Sequence, residues 1–283
     1  MECVLHLLRI IAILIVARVV INLPCGIAIA EARNTFETVG HPPKYSNAIA
    51  TLNSMPWNVM VEANRERCGG VLVRLSPHSN RTDLVLSSSQ CFWKNGSVFD
   101  HTDAEIILGL FKYPPDRDTV IVRVKSITAT PFDMLKKDIA LVTLESEVEF
   151  TDNVRPICLP NADAEIPVAE VLYLTGWKMG SGKLQVPHLM QLEVHVMAPS
   201  LCKALFPNYS SFDHICGEYV DRFMCNGTLL IDFGSPLIKK YGGKMYIIGM
   251  YNGELRPEGS NERIRVSTSL EWMIRSYHPS MIV

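Results

Sequence analysis

Short apolar segments recur along most of this 283-residue chain, and turn residues separate them. Runs rich in Val, Ile and Leu that alternate with Gly, Pro, Asn and Asp are typical of many short strands. The pattern therefore predicts an all-β barrel or sandwich. The predicted strands are 59–61, 69–75, 84–86, 105–110, 119–124 and 139–144 in a first series, and 170–176, 189–197, 229–231, 236–238 and 245–251 in a second.

The two strand series are joined by a Pro-containing stretch at 156–167, which indicates two similar barrels in sequence. Before the first series, residues 24–54 are rich in Pro, Asn and Thr and show no sustained period, so an extended lead-in is predicted. Residues 266–277 place apolar side chains on one side of a helical pattern, which predicts a C-terminal helix.

The first residues have the composition of a targeting segment. Positions 5–23 are apolar except for His6, Arg9, Arg18 and Asn22. Each arginine would cost about 2.5–3.5 kcal/mol at mid-bilayer, so a spanning helix is disfavoured. We expect a signal peptide that ends near residue 17, or at the latest near residue 30. An uncleaved signal anchor is the alternative.

Composition excludes several classes of function. A net charge of −2 and a pI near 6.4 give no electrostatic footprint for nucleic acid. The eight cysteines are well separated, and Cys-x-x-Cys, His-Glu-x-x-His and a Gly-rich phosphate loop are absent from the sequence. We therefore expect scattered disulfides and neither a metal nor a cofactor.

Sequons agree with a secretory route and predict N-glycosylation at Asn80, Asn95, Asn208 and Asn226.

Several short motifs then occur in one order along the chain. They are Pro-Trp-Asn-Val at 56–59, Cys-Gly-Gly-Val-Leu at 68–72, Val-Leu-Ser-Ser-Ser-Gln-Cys at 85–91, Asp-Ile-Ala-Leu at 138–141, Asn-Val-Arg-Pro-Ile-Cys-Leu-Pro at 153–160, Thr-Gly-Trp at 175–177, Asp-Phe-Gly-Ser-Pro-Leu at 232–237 and Arg-Val-Ser at 265–267, with Trp272 after them. The ordered set resembles the chymotrypsin/trypsin family of serine proteases over roughly residues 45–277, most closely the secreted serine protease homologues of insects.

The resemblance implies two antiparallel six-stranded β-barrels with an active site in the cleft between them. That chemistry needs a serine nucleophile, a histidine base and a carboxylate that orients the base. The corresponding positions hold Phe233, Gln90 and Asp138. Phe233 has no nucleophilic atom, and the carboxamide of Gln90 has no useful pKa for taking up a proton. Losing one such group alone costs about a millionfold in a related mechanism.

Other functional positions also depart from the family pattern. Ile231 stands where a glycine lines the oxyanion hole, and neither Gly227 nor Phe223 supplies the aspartate that selects basic substrates. The nearest match to the activation site is Thr-Val-Gly-His at 38–41, and Glu37 precedes it. Asp232 matches the family residue that pairs with the new amino terminus, but that partner is not evident here.

The resemblance also implies a disulfide pattern. Cys225 lacks its family partner, so it is either a buried free thiol or an intermolecular one. The implied pairs are Cys68–Cys91, Cys202–Cys216 and Cys25–Cys158.

Several residues carry two interpretations. Asp138 is a catalytic relic, or it accepts hydrogen bonds from local backbone and from the Gln90 amide. Ser235 is a displaced nucleophile or a structural residue, and Phe233 either fills the former pocket or leaves an open cleft. His78 and His101 supply a base or lie on the surface. A polyanion-binding patch, or simply a solvated face, would comprise Lys239, Lys240, Lys244, Arg263 and Arg265.

Together these observations predict a secreted, glycosylated, non-catalytic serine protease homologue. Its expected role is that of a binding or regulatory protein, such as an adaptor or decoy for active proteases in immune or reproductive fluid. The expected partners are other secreted proteins, namely proteases, their inhibitors or their substrates, and neither nucleic acid nor membrane. The alternatives are a weakly active serine endopeptidase with a displaced nucleophile, and a membrane-anchored protease-like binding protein.

Overall fold

The computed structural model describes residues 24–29, 49–63, 66–94, 97–98, 104–129, 139–160, 166–178, 186–205, 209–211, 214–219, 232–255 and 263–267. Nearly all regular structure in these residues is β. The strands are β1 (Asn58–Ala63), β2 (Glu66–Val73), β3 (Arg81–Ser88), β4 (Trp93–Lys94), β5 (Ser97–Val98), β6 (Glu105–Leu108), β7 (Val120–Ala129), β8 (Ile139–Glu149), β9 (Val171–Lys178), β10 (Val186–Val196), β11 (His214–Tyr219), β12 (Pro236–Tyr241), β13 (Lys244–Leu255) and β14 (Arg263–Ser267). A 3-10 helix, Ser89–Phe92, follows β3, and helix α1, Pro199–Leu205, follows β10.

The strands close into two barrels of six, and every pairing between neighbouring barrel strands is antiparallel. The first barrel has the order β1-β2-β3-β8-β7-β6, and the second has the order β10-β11-β14-β13-β12-β9. Strands β4 and β5 form a separate short hairpin. The predicted all-β class and the two six-stranded barrels are confirmed.

Strands β1, β2 and β3 contain uninterrupted apolar runs because both of their faces are buried. Val59 and Val61 of β1 point into the barrel core, whereas Met60 between them packs into a second cluster shared with the other barrel. A strand that is buried on both faces shows no alternation of polar and apolar residues. The long apolar runs of β2 and β3 have the same origin.

The shared cluster joins the two barrels into one body. It combines Trp57 and Leu86 from the first barrel with Trp177 and Ile247 from the second. A buried polar pair fixes their relative position, because Thr175 Oγ1 donates to Asn58 Oδ1 at 3.0 Å and Asn58 Nδ2 donates to the Thr175 carbonyl at 3.3 Å. Buried polar groups that are matched in this way favour one arrangement over others.

Residues 24–29 dock on both the interbarrel connection and the second barrel. Cys25 forms a disulfide with Cys158, the Gly26 N–H donates to the Pro156 carbonyl, and the Met245 N–H donates to the Gly26 carbonyl. Gly26 has a φ of +65°, and a Cβ there would overlap the Met245 backbone. The described part of the lead-in is therefore a turn held against the domain.

Some elements differ from the prediction. Strands β11 and β14 and helix α1 were not predicted. Val266 and Ser267 lie in β14, so a C-terminal helix can begin only after Ser267. The rest of 266–277, the predicted strand 229–231 and the signal segment lie outside the described residues. Within the described ranges, no helix has the length and apolar character that a membrane span needs.

Candidate functional site

Residues 232–235 form a turn at the junction of the two barrels. The Gly69 N–H of β2 donates to the Phe233 carbonyl at 2.8 Å, which ties the turn to the first barrel. The Gly234 N–H donates to the Tyr251 carbonyl, and the Tyr251 N–H donates to the Ser235 carbonyl, both at 2.9 Å. These bonds tie the turn to β13 of the second barrel. The position of Phe233 is thus fixed by backbone from both sides.

This close approach requires glycine at two positions. Gly234 has a φ of +81°, in the left-handed region that side chains disfavour. A Cβ on Gly234 would lie 2.7 Å from the Ser88 nitrogen and would also overlap the Gly69 carbonyl. A Cβ on Gly69 would lie 2.8 Å from the Ser235 backbone. The two glycines allow the turn to lie directly on β2 and β3.

Gln90, the predicted base position, lies on the first-barrel side of this contact. Gln90 belongs to the 3-10 helix, and its backbone N–H donates to Ser88 Oγ at 3.2 Å. The next residue, Cys91, places its Sγ atom 3.8 Å from the Phe233 carbonyl oxygen. The structure therefore brings Gln90 and Phe233, which are far apart in the sequence, to the same junction.

The Phe233 ring lies at the surface of the junction. It is 43% exposed and stacks on Tyr251, with ring centroids 6.0 Å apart and an interplanar angle of 22°. Both interpretations of Phe233, a ring that fills the former pocket and an open cleft, stay predictions. Sequence reasoning missed Tyr251, because no motif singled it out.

Ser235, the displaced-nucleophile candidate, is fully buried. Its Oγ has no hydrogen-bond partner in the described part of the chain, and the residue packs against Gly69. A serine must meet both a base and a substrate carbonyl to act as a nucleophile. In this position Ser235 Oγ cannot contact a substrate without a rearrangement of the turn.

Asp232 is the most perturbed acid of the site. It is 4% exposed, and neither carboxylate oxygen has a partner with ordinary hydrogen-bond geometry among the described residues. Burial raises its pKa to about 8, and the nearby Trp177 backbone amide and the Arg67 charge oppose that rise only in part. The amide is close enough to favour the ionised form but does not meet hydrogen-bond geometry.

Arg67 is engaged elsewhere, which explains why it does not neutralise Asp232. Its Nε lies 2.8 Å from Glu62 Oε1, and its guanidinium carbon lies 3.6 Å from the centre of the Tyr113 ring. A cation that already has an anion and an aromatic face as partners gives a more distant carboxylate only weak support. Among the described residues, Asp232 is consequently a buried acid without a local counter-ion.

Several predicted site residues lie outside the described residues. Asp138 directly precedes Ile139, which pairs with Ser88 two residues before Gln90. Its chain neighbour therefore lies close to the junction, while the aspartate itself is not described. The other predicted residues outside the described ranges are Glu37, 38–41, Ile231, Gly227, Phe223, Cys225, His101, Asn95, Asn208 and Asn226.

The implied disulfides are confirmed. Cys25–Cys158, Cys68–Cys91 and Cys202–Cys216 have Cα–Cα distances of 4.8, 6.2 and 5.8 Å. Cys68–Cys91 joins β2 to the 3-10 helix that carries Gln90. It therefore anchors the base position beside Phe233.

The remaining candidates lie away from the junction. His78 is exposed three residues before β3 begins, and the length of β3 separates it from Gln90 by about 25 Å at the usual rise per residue. Asn80 precedes β3, and its carbonyl accepts the Phe150 N–H, while Thr82 of the same sequon is buried. Glycosylation at Asn80 stays a prediction. No group of three or more metal-ligating side chains occurs in the ranges that the structure describes.

The basic residues do not form a single patch. Lys244 lies at the start of β13, whereas Arg265 of β14 pairs with Gly253, which lies near the other end of β13. Nine residues of strand separate these positions, which corresponds to about 30 Å. The polyanion hypothesis for these five residues as one surface is therefore wrong at the level of backbone placement.

Comparison with family models matches residues 46–273 to the family described as Trypsin. The matched region covers both barrels and includes Gln90, Asp138 and Phe233, the residues that the motif order assigns to the triad positions. It begins three residues before Ile49 and includes most of the chain.

Proposed function

Because the chain belongs to the trypsin family, we propose that it is a non-catalytic serine protease homologue that acts as an extracellular binding or regulatory protein. The observation that carries the proposal is the meeting of Gln90 and Phe233 at the barrel junction, with Cys91 Sγ 3.8 Å from the Phe233 carbonyl. These are the positions at which an active member needs its base and its nucleophile.

The chemistry of the two side chains supports this proposal. Phe233 offers no oxygen or sulfur to attack a carbonyl carbon, and Gln90 offers no basic nitrogen. The nearest serine in the turn, Ser235, is fully buried and packs against Gly69. The described part of the junction therefore supplies neither a nucleophile nor a base in a productive position.

The role that follows is binding without turnover. The fold keeps its two barrels, its interbarrel apolar cluster and three disulfides, all of which maintain a stable surface. We assign this surface to secreted partners: the chain acts as an adaptor for active proteases or as a decoy for their inhibitors or substrates. Disulfides are typical of oxidising compartments, which supports secretion.

Covalent labelling tests the absence of catalysis. The pure chain is incubated with a fluorophosphonate probe beside an active trypsin-family protease at the same concentration. We expect labelling of the active protease alone. Labelling of this chain that disappears in Ser235→Ala and persists in Ser76→Ala, an exposed serine in the β2–β3 connection, would overturn the proposal.

A further inference from the structure

The 232–235 turn begins with a carboxyl group that its closed position keeps in the interior. Asp232 is 4% exposed, and neither of its carboxyl oxygens has a hydrogen-bond partner among the described residues. An ionised carboxyl group without a partner is costly to bury, so the closed turn favours the protonated form. The position of the turn and the proton on Asp232 are therefore linked.

Within the described part of the chain, the elements packed against the turn offer Asp232 one cation. Arg67 of β2 acts on it through charge, but the Arg67 Nε atom lies 2.8 Å from Glu62 Oε1 of β1. Strand β9 contributes the backbone amide of Trp177, and an indole side chain does not titrate. The closed state therefore leaves the charge of an ionised Asp232 largely unmatched.

Other groups beside the turn come from β13 and from the disulfide of the first barrel. Tyr251 of β13 is titratable, and its ring stacks on Phe233. Cys68 and Cys91 form a disulfide, so neither of them titrates. The contribution of Asp232 to a pH effect must therefore be separated from that of Tyr251, and a substitution of Asp232 does so.

Backbone hydrogen bonds join the closed turn to both barrels. The Gly69 N–H donates to the Phe233 carbonyl at 2.8 Å, the Gly234 N–H donates to the Tyr251 carbonyl at 2.9 Å, and the Tyr251 N–H donates to the Ser235 carbonyl at 2.9 Å. Each such bond contributes only modestly to stability, because water replaces the lost partner when the bond opens. The Phe233 ring is already 43% exposed. An outward movement of the turn that hydrates the carboxyl group is thus accessible.

We propose that Asp232 makes the 232–235 turn a pH-sensitive conformational switch. With a proton on Asp232, the turn is closed and the Phe233 ring stacks on Tyr251. When the proton passes to solvent, the turn opens, the carboxylate reaches water and the ring leaves Tyr251. The surface that the barrel junction presents therefore depends on pH.

The direction of the switch follows from the proton affinities of the two states. In the closed state, burial raises the pKa of Asp232 to about 8, whereas a hydrated carboxyl group in the open state titrates near 3.8. Between those values the closed state binds more protons than the open state. The ratio of open to closed turn therefore rises by up to about tenfold per pH unit and becomes constant above about pH 8. Acid closes the turn, and a rise in pH opens it.

Amide hydrogen exchange of the full chain from about pH 5 to about pH 9 tests the switch. The reporting amides are those of Gly69, Gly234 and Tyr251, whose N–H groups donate in the closed turn. Their protection factors, corrected for the intrinsic pH dependence of exchange, should fall by up to about tenfold per pH unit and level off near pH 8.

Amides in the β3–β8 ladder distinguish this local opening from global unfolding. Leu86 and Leu141 pair in that ladder and lie in the buried core. A local opening exposes little surface, so exchange at the turn should respond little to dilute urea, whereas exchange in the ladder should accelerate. The protection factors of the turn amides should also be at least about tenfold lower than those of the ladder amides near pH 8.

Two variants assign the effect to its residue. Asp232→Asn keeps the shape of the side chain and removes the ionisable proton, so protection of the turn should no longer vary with pH. Glu147→Gln is the matched control, because Glu147 is an exposed acid on β8 of the first barrel. It should leave the pH dependence of the turn unchanged.

Three results would overturn the proposal. The first is constant protection of the turn amides between about pH 5 and about pH 8. The second is a pH dependence that persists in Asp232→Asn, which would assign the effect to Tyr251 or another group. The third is equal protection and equal urea response at the turn and the ladder, which would leave only global unfolding. The switch does not rest on the non-catalytic role, which fluorophosphonate labelling tests separately.

Discussion

The carboxyl group of Asp232 lies in the interior next to a half-exposed phenylalanine, and none of the residues that the structure describes forms an ion pair with it. Its burial makes ionisation costly, and the residue is protonated at neutral pH because its pKa is raised to about 8. Arg67, the cation that acts on it, is held by Glu62 and Tyr113. A group with these properties makes stability depend on pH.

We predict that the free energy of unfolding falls as pH rises from about 5 to about 8. The folded chain keeps the Asp232 proton up to about 8, whereas the unfolded chain releases it near 3.8. Between those values the folded state binds more protons, so this group contributes up to about 1.4 kcal/mol of lost stability per pH unit. Urea unfolding measured across this range provides the check.

The control for this prediction is Asp232→Asn, which removes the titration and keeps the shape of the side chain. Its unfolding free energy should vary less with pH over the same range. Equal pH slopes for the unmodified chain and the variant would show that Asp232 does not carry the effect.

The sequence identified Gln90, Phe233 and Asp232 as the residues of interest but did not reveal their environment. Motif order is a local property, and it places residues by analogy with a pattern. The stacking of Phe233 on Tyr251 and the isolation of Asp232 depend on which residues surround them in the fold. Those neighbours come from strands distant in sequence, so no spacing rule indicates them.

Among the elements, the turn at 232–235 shows most clearly how close packing restricts the sequence. It contacts β2 and β3 of one barrel and β13 of the other. Two glycines with positive φ, Gly234 and Gly242, allow the cost of close packing to be separated from the cost of the left-handed backbone conformation. Gly234 lies within this turn, whereas Gly242 lies at an exposed hairpin tip where a Cβ would meet nothing within 4 Å.

We predict that Gly234→Ala destabilises the chain more than Gly242→Ala. The Gly242 variant should lose about 1–2 kcal/mol, the cost of placing a side chain in the left-handed region. The Gly234 variant should lose at least about 2 kcal/mol more, because the new Cβ also overlaps backbone of the first barrel. Denaturant unfolding of both variants measures the difference, and equal losses would contradict the packing account.

Strands that are buried on both faces could be predicted, because their apolar runs are long and lie between turn residues. Strand β11 could not, since His214–Tyr219 contains one aliphatic residue from the strand-forming set. Its His214 and Cys216 are buried nonetheless, and Cys216 is joined to Cys202 of α1. Tertiary packing and a disulfide, rather than local propensity, hold this element in place.

At the scale of the whole molecule, two barrels joined by an apolar cluster provide a stable surface that does not depend on catalytic side chains. The Gln90–Phe233 junction lies between these barrels. In the role proposed above, the chain would bind partners without consuming them. Its effect on an active protease would then be set by occupancy rather than by turnover.

We predict that the pure chain changes the inhibition of an active trypsin-family protease by a protein inhibitor in proportion to its concentration. A decoy sequesters the inhibitor, so more inhibitor is needed to reach half inhibition. The measurement is a titration of protease activity at several fixed concentrations of the chain. The heat-unfolded chain is the control, and an unchanged titration with the folded chain would contradict the decoy role.

The disulfide between Cys25 and Cys158 has a consequence for proteolytic cleavage of the chain. Any cut by an extracellular protease in the 30–48 region would leave the N-terminal piece covalently attached to the domain. The product would be a two-chain molecule that migrates as one species until it is reduced. Nicking there would thus change the number of chain ends without releasing a fragment.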